Sequence, residues 1–340
     1  MLSLTLRVAA ATFAFILSCP VSAYLVEPAV TTRVVDVGHG SCSVVLVDKK
    51  KEGLSPDDRF YVMVYGAGGE PGRCSKGLAL TLPKGVKAID LLLLSDAEDE
   101  NTSEAISILD KYSVSSSWVT LPKKPTKSQH SLKKALDKEI LAGGSFRNLS
   151  KLPVSEMESI DVGGVAKIEF FGLGFDADAV AAKISVGDES VLLTQSLNGR
   201  EKLAPDNRCG FEERDMVRKY GGELKSTVML APNHGSNSSS SKCFIEAVAP
   251  EYVIFQSGHK RQLPARAVAN RYMAFGVDAD NIYRTDKGDK EVLVGGHTFE
   301  WAGENGCRDG AGDDDVLVHL YDEAEALIGY FNDGYYESCL

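Results

Sequence analysis

Hydrophobic and polar positions along this chain follow two periods. "TTRVVDVGHGSCSVVLVD" reads as a strand, a glycine-rich turn and a second strand, with Val34, Val35 and Val37 leading in and Val44 to Val47 leading out. "RFYVMVYGAGG" is a further apolar strand that runs into glycines. "IDLLLL" is a continuous apolar run, the pattern of a strand covered on both faces. "TSEAISILDKYS" then places Ala105, Ile106, Ile108 and Leu109 at helical spacing, with Thr102 or Ser103 as cap candidate. "SSSWVTLP" predicts a short strand, and the polar, lysine-rich stretch 121–160 predicts one helix over Ser131 to Leu141. The second half repeats the style. "VAKIEFFGL", "VAAKISV" and "SVLLTQS" read as strands joined by tight turns, one at Gly187-Asp188. "STVMLAP", "EYVIFQS", "NIYRTD" and "KEVLVGG" read as further strands. "CGFEERDMVRKYG", "KCFIEAVAP" and "ARAVANRYMAFG" read as helices among them.

Two comparable halves, each β-rich and then β-α-β, predict two mixed sheets packed together with helices outside, a four-layer αββα sandwich. From Gly303 to Leu340 the pattern turns acidic at Asp313 to Asp315 and glycine-rich, and it carries Cys307 and Cys339. It reads as an appended strand-bearing extension. The expected division is a signal peptide over 1–23, a main domain over 24–302 and the extension over 303–340.

The leader "MLSLTLRVAAATFAFILSCPVSA" has one early positive charge at Arg7, an apolar stretch from Val8 to Leu17 and a Val-Ser-Ala end. That is the grammar of a secretory signal cleaved after Ala23, and the apolar run is short for a membrane span. The expected location is secreted or periplasmic, with no transmembrane segment after cleavage. Export changes the reading of the cysteines. Cys42, Cys74, Cys209, Cys243, Cys307 and Cys339 follow the leader, an even set that favours disulfides in an oxidising compartment. The sequence does not choose their pairing; a Cys307–Cys339 clasp is one candidate. Asn101, Asn148 and Asn237 stand in glycosylation sequons.

With 44% hydrophobic and 25% charged residues the chain has an ordinary globular balance. A formal charge of −11 argues against general nucleic-acid binding. The local exception is the cluster Lys123, Lys124, Lys127, Lys133 and Lys134, whose bland reading is a solvated loop and helix face. No partner is identified by the sequence.

Several of these pieces resemble the metallo-β-lactamase fold, and in particular the soluble domain of ComEC-type competence DNA-uptake proteins. "VVDVGHGSCSVVLV" is similar to that family's Asp-Val-Gly-Gln-Gly-Asp opening. "LLLLSDAEDENTSEA" occupies the place of its His-x-His-x-Asp-His-x-Gly-Gly metal motif, and "SVLLTQSL" that of Leu-Leu-Thr-Gly-Asp. "MLAPNHGSNSSSS" resembles the strand followed by His-His-Gly-Ser, and "NIYRTDKGD" the closing Tyr-Arg-Thr-Asp. The resemblance runs from about Thr31 to Val294. Position by position it puts the first motif histidine on Asp96, the second on Glu98, the aspartate on Glu100 and the last histidine on Asn101. The two glycines fall on Ser103 and Glu104. The bridging aspartate falls on Ser196, with Gln195 before it, and the His-His pair falls on Asn233 and His234. Gly235 and Ser236 stand as substrate-loop candidates. The His-Pro-His segment falls on Leu263, Pro264 and Ala265, and the aspartate after the third strand on Tyr65 or Gly66.

Such a resemblance implies a one- or two-metal hydrolase, yet of its ligands only His234 is clearly kept. A rebuilt site would use Asp96, Glu98, Glu100 and His234. That oxygen-rich set suits manganese, magnesium or calcium better than zinc. The bland reading is an acidic loop that solvates, with Asp99 and Glu100 favoured near a helix N-terminus. His39 beside Cys42 suggests a thiol–imidazole dyad, against which stands a disulfide-bonded or buried cysteine. The expectation is therefore no cofactor, or one divalent cation at most, and no assigned catalytic residue. The expected function is an exported protein with a degenerate metal site, acting as a binding or structural module. One alternative is a secreted metal-dependent phosphodiesterase or nuclease using the acidic set. Another is a disulfide-stabilised surface or host-interaction protein.

Overall fold

Alternating burial sorts the strands into two sheets. The computed structural model describes residues 27–50, 53–96, 98–122, 124–154, 158–173, 180–200, 209–258, 263–285 and 314–331. The first half supplies β1 (Val30–Val34), β2 (Ser43–Asp48), β3 (Phe60–Tyr65), β4 (Ala88–Leu94), β5 (Ser113–Val119) and β6 (Ser145–Asn148). The second supplies β7 (Glu158–Val162), β8 (Ala166–Gly172), β9 (Val180–Val186), β10 (Glu189–Leu193), β11 (Val228–Leu230), β12 (Tyr252–Phe255) and β13 (Ile282–Arg284). β14 (Val316–Leu320) and β15 (Leu327–Tyr330) return to the first sheet. Its order is β15-β14-β1-β2-β3-β4-β5-β6, and that of the second is β13-β12-β11-β10-β9-β8-β7. Both sheets are mixed: β3-β4-β5-β6 and β10-β11-β12-β13 run parallel, the rest antiparallel.

The helices are α1 (Pro56–Arg59), α2 (Arg73–Thr81), α3 (Asp99–Thr102), α4 (Ala105–Lys111), α5 (Lys127–Leu141), α6 (Phe211–Tyr220), α7 (Lys242–Val248) and α8 (Arg266–Ala274). Three buried clusters define four layers. Val45, Met63, Leu91 and Leu93 of the first sheet meet Ile168, Phe170, Ile184 and Leu193 of the second. The opposite face of the first sheet, with Val44, Val64, Leu92 and Leu94, packs on Leu78, Ile108 and Leu136 from α2, α4 and α5. The outer face of the second, with Phe171, Leu192 and Val253, packs on Met216, Phe244 and Tyr272 from α6, α7 and α8. This is the expected four-layer αββα sandwich of two mixed sheets. The "IDLLLL" run is apolar throughout because alternate leucines face two different cores. Each such side chain contributes roughly 1.5–3 kcal/mol on burial. A charge at Leu93 would lie between the sheets with no partner.

Both flanks of the sandwich are stitched. Arg147 on β6 donates to Glu158 on β7 at 2.6 and 2.8 Å and lies over Trp118. At the other flank the Tyr283 and Tyr330 rings stand 5.5 Å apart. The strands of the 303–340 segment complete the first sheet. β14 pairs antiparallel with β1, Arg33 donates to Asp315 at 2.7 Å, and Phe331 lies under the Arg33 guanidinium. Cys307 and Cys339 lie outside the described residues.

Four cysteines form two disulfides, Cys42–Cys74 and Cys209–Cys243. Cys42 therefore has no thiol to offer, and the Cys42–His39 dyad is excluded. Several elements differ in detail from the sequence expectation. Neither Thr102 nor Ser103 caps α4: Glu104 holds that position, and the Thr102 hydroxyl turns back to the Glu98 carbonyl. α5 starts at Lys127, not Ser131, because Thr126 and Gln129 form a reciprocal capping box. The α2 helix had no sequence expectation. Among the described residues no helix is long and apolar enough to cross a membrane.

Candidate functional site

Four loops meet where β4, β10 and β11 end: the β1–β2 loop, the segment from Ser95 to Glu104, the one from Thr194 to Arg200, and Pro232–Gly235. Backbone approach there is close. A Cβ at Gly40 would stand 2.1 Å from the Glu100 carbonyl oxygen, and one at Gly68 1.8 Å from the same atom. Only glycine fits at either position.

Asp96 is 7% exposed and sits at the centre. Its Oδ1 accepts the Glu98 N–H at 2.8 Å, and its Oδ2 accepts Asn101 Nδ2 at 3.0 Å and the Ser196 hydroxyl. The positions of the first histidine, the last histidine and the bridging aspartate are thus brought together, the second and third donating to the first. A carboxylate with such donors is satisfied without a cation. Behind it, the Ser95 hydroxyl donates to the side-chain oxygen of Gln195, whose carbonyl accepts the Asn233 N–H at 2.6 Å.

Glu100 meets His39 instead, with Nε2 and Oε2 2.7 Å apart. The His39 ring lies 6.3 Å from that of His234. His234 Nδ1 stands 2.7 Å from the Gln256 carbonyl. A carbonyl only accepts, so Nδ1 carries the proton and Nε2 keeps its lone pair. Burial holds the His234 pKa below the ordinary imidazole value, against the pull of the Gln256 carbonyl and Glu100. Asn233 and His234 both take left-handed backbone, φ 52° and 54°. Asn233 Nδ2 donates to Asn198 Oδ1 and Ser238 Oγ, each at 3.0 Å. Gly235 is buried and Ser236 half-buried, its hydroxyl paired with that of Ser238.

The candidate set Asp96, Glu98, Glu100 and His234 is therefore only partly assembled. Asp96, Glu100 and His234 share the site, while Glu98 is exposed at its rim. Among the described residues no group of three or more His, Cys, Asp and Glu side chains is disposed to hold a metal ion. The Asp96 oxygens are engaged by neutral donors, a poor fit to a metal centre. Glu104, at the second glycine position, accepts the N–H groups of Cys74 at 3.0 Å and Ser75 at 3.1 Å, capping the first turn of α2. Asn101 is 2% exposed, so its sequon is closed to a glycan. Sequence reasoning missed Ser95, Asn198 and Gln256. For Ser95 and Gln256 the one signal is a polar residue directly after an apolar strand; Asn198, five positions past the end of β10, has none.

No family profile matches the chain. Over 76 residues, 22% of the chain, it is 45% identical to competence protein ComA of Neisseria gonorrhoeae. The match spans 11% of that protein's length. Among solved structures the chain is similar to CmlA, a diiron β-hydroxylase from Streptomyces venezuelae, at 13% identity and TM-score 0.44, over 76% of this chain and 53% of that one. It is similar to Igni18, a metallo hydrolase from Ignicoccus hospitalis, at 11% identity and TM-score 0.38, over 89% and 100% of the two chains. Human tRNase Z, short form, matches at 9% identity and TM-score 0.38, over 68% and 94%.

Proposed function

We propose that this chain is an exported protein of metallo-β-lactamase fold whose metal site has become a polar network, and that it acts as a non-catalytic binding or structural module. One observation carries the reading. Asn101 and Ser196, at two ligand positions of the family motif, both donate to Asp96, at a third. In a working hydrolase those positions turn their lone pairs to a cation, which makes hydroxide at neutral pH. Here the donors of Asn101 and Ser196 take the place of that cation. The two disulfides support an oxidising, extracytoplasmic location. The local likeness to a competence protein supports the ComEC-type resemblance.

The test is the metal content of residues 24–340 by elemental mass spectrometry after mild dialysis in manganese, magnesium, calcium and zinc, run beside phosphodiesterase and nuclease assays. The expected result is no stoichiometric metal and no metal-dependent turnover. A near-stoichiometric metal that disappears in Glu98→Ala, Glu100→Ala would replace this reading with a rebuilt acidic hydrolase site.

A further inference from the structure

The two disulfides brace the same site from opposite sides. Cys42–Cys74 ties the β1–β2 loop, which carries His39, to α2. Cys209–Cys243 ties the residue before Gly210, the N-cap of α6, to the first turn of α7. Their surroundings differ. Cys42 and Cys74 are each 0% exposed, whereas Cys209 and Cys243 are only half-buried. A disulfide exchanges when a thiolate reaches one of its sulfurs, so access decides which of the two bonds reacts.

The accessible bond lies on the wall of the site. The first turn of α6 holds Asn198: Glu212 Oε2 accepts its N–H at 3.1 Å, and its carbonyl accepts the Glu213 N–H at 3.1 Å. Asn198 accepts in turn from Asn233, and the Gly199 N–H donates to the Ser238 carbonyl at 2.8 Å. Before α7 the chain from Ser239 to Ser241 is wholly buried and gripped by charge. The Glu213 carboxylate accepts the Ser240 and Ser241 N–H groups at 2.5 and 2.6 Å. Arg271 Nη1 donates to the Ser239 and Ser240 carbonyls at 2.7 and 2.6 Å. A Cβ at Gly199 would stand 1.8 Å from Glu213 Oε2, so the pieces touch. The disulfide closes this circuit covalently. Phe211, two positions after Cys209, has φ 49°, a left-handed backbone that a bulky residue rarely takes. Such a conformation persists only where its surroundings fix it, and the tie at Cys209 is one of them.

We propose that Cys209–Cys243 is a thiol–disulfide exchange site for a protein dithiol of the Cys-x-x-Cys kind, and that Cys42–Cys74 is closed to the same partner. The exchange stands whether or not the neighbouring site holds metal. Its two sulfurs are not equivalent. Ser241 Oγ stands 3.5 Å from Cys243 Sγ, and a disulfide sulfur has no proton, so the hydroxyl donates. That donor stabilises a thiolate at Cys243, which makes Cys243 the leaving group and Cys209 the point of attack. The partner's thiolate bonds to Cys209 Sγ as the S–S bond breaks and Cys243 departs as thiolate. The partner's second thiolate then displaces Cys209 from the mixed disulfide. The partner ends as a disulfide, and Cys209 and Cys243 end as thiols, having taken up two electrons and two protons. Reduction unties α6 from α7 beside Asn198 and Ser238 and loosens that wall; reoxidation restores it.

The experiment incubates the folded full chain with reduced thioredoxin as the dithiol and maps each cysteine by differential alkylation and mass spectrometry. Cys209 and Cys243 are expected to become alkylated about tenfold or more faster than Cys42 and Cys74, while near-ultraviolet circular dichroism keeps its folded signal. Thioredoxin lacking its second cysteine is expected to be trapped on Cys209, and Ser241→Ala to spread the trapped product over both cysteines. In the Cys209→Ser, Cys243→Ser double variant, amide hydrogen exchange at Gly199 and Ser241 is expected to rise about tenfold while the β4 amides stay protected. Equal rates for the two disulfides, or release of Cys209 and Cys243 only with loss of the fold, would overturn the exchange site. Trapping on Cys243, or an unchanged product in Ser241→Ala, would overturn the direction of attack, and unchanged amide exchange in the double variant would overturn the loosening.

Discussion

Two acids are buried in this molecule by different means. Asp96 is held by neutral donors, an asparagine amide, a serine hydroxyl and one backbone N–H. Glu213 is held by two backbone N–H groups with a guanidinium close by. The first centre joins loops of both sheets at the motif positions, and its members are side chains that could each be exchanged singly. The second grips backbone and has a charge on each side. A carboxylate among side-chain donors is locally replaceable, whereas buried backbone N–H groups that lose their acceptor have no side chain to turn elsewhere.

The largest expected effect follows from that contrast. Glu213→Ala should cost about 2–6 kcal/mol in denaturant unfolding, because two fully buried backbone N–H groups lose their acceptor. Asp96→Ala should cost less, about 1–3 kcal/mol. Equal losses in the two variants would erase the distinction.

Stability against pH sharpens it. Glu213 has its folded pKa raised from 4.5 to about 7, so the folded state holds its proton over that window while the unfolded state has released it. Its contribution is complete below 4.5 and is lost as pH rises to about 7, by up to about 3 kcal/mol. His234, beside the Asp96 centre, has its pKa lowered from 6.5, so it works in the opposite direction and costs stability as pH falls below that value. Thermal melts from pH 4 to 8 should show the neutral-side loss vanish in Glu213→Gln, and the acid-side loss shrink in His234→Gln.

A change of content, not of stability, tests the replaceable centre. Asp96→His, Asn101→His and Ser196→Asp together should give a protein that retains a stoichiometric divalent metal through dialysis where the parent chain is expected to retain none, read by elemental mass spectrometry. The smallest effect concerns the tail. Val316 and Tyr330 pair across the β14–β15 hairpin, and in the sequence Cys307 precedes the first and Cys339 follows the second by nine positions each. Peptide mapping without reduction should recover a Cys307–Cys339 crosslink, and its removal should shift unfolding by less than either mutation above.

The strands were legible because each writes its burial in a short period. "IDLLLL" and "VAKIEFFGL" read as strands from the sequence and are strands. α7 fills the predicted place from Lys242 to Val248. α2 was missed because "RCSKGLALT" carries Gly77 mid-helix and has no side-chain cap. The replaced ligands were visible only through resemblance, residue by residue. The partners these positions take in the fold were not visible. Ser196 meets Asp96 across 100 positions and His39 meets Glu100 across 61, and neither distance leaves a local pattern. Glu213 reads in sequence as an ordinary charge in an exposed first turn; only the approach of Gly199 and the serine loop buries it.

The pairing of β1 with β14 has a temporal meaning. Arg33 and Asp315 are 282 positions apart, so a chain made from its N-terminus holds an unmatched strand edge through nearly all of its synthesis. Loop closure over that span is slow, and an open apolar edge recruits other chains. The last hairpin thus acts as a completion signal: a product that stops before Val316 keeps its first strand half-paired and is expected to aggregate where the full chain stays dispersed.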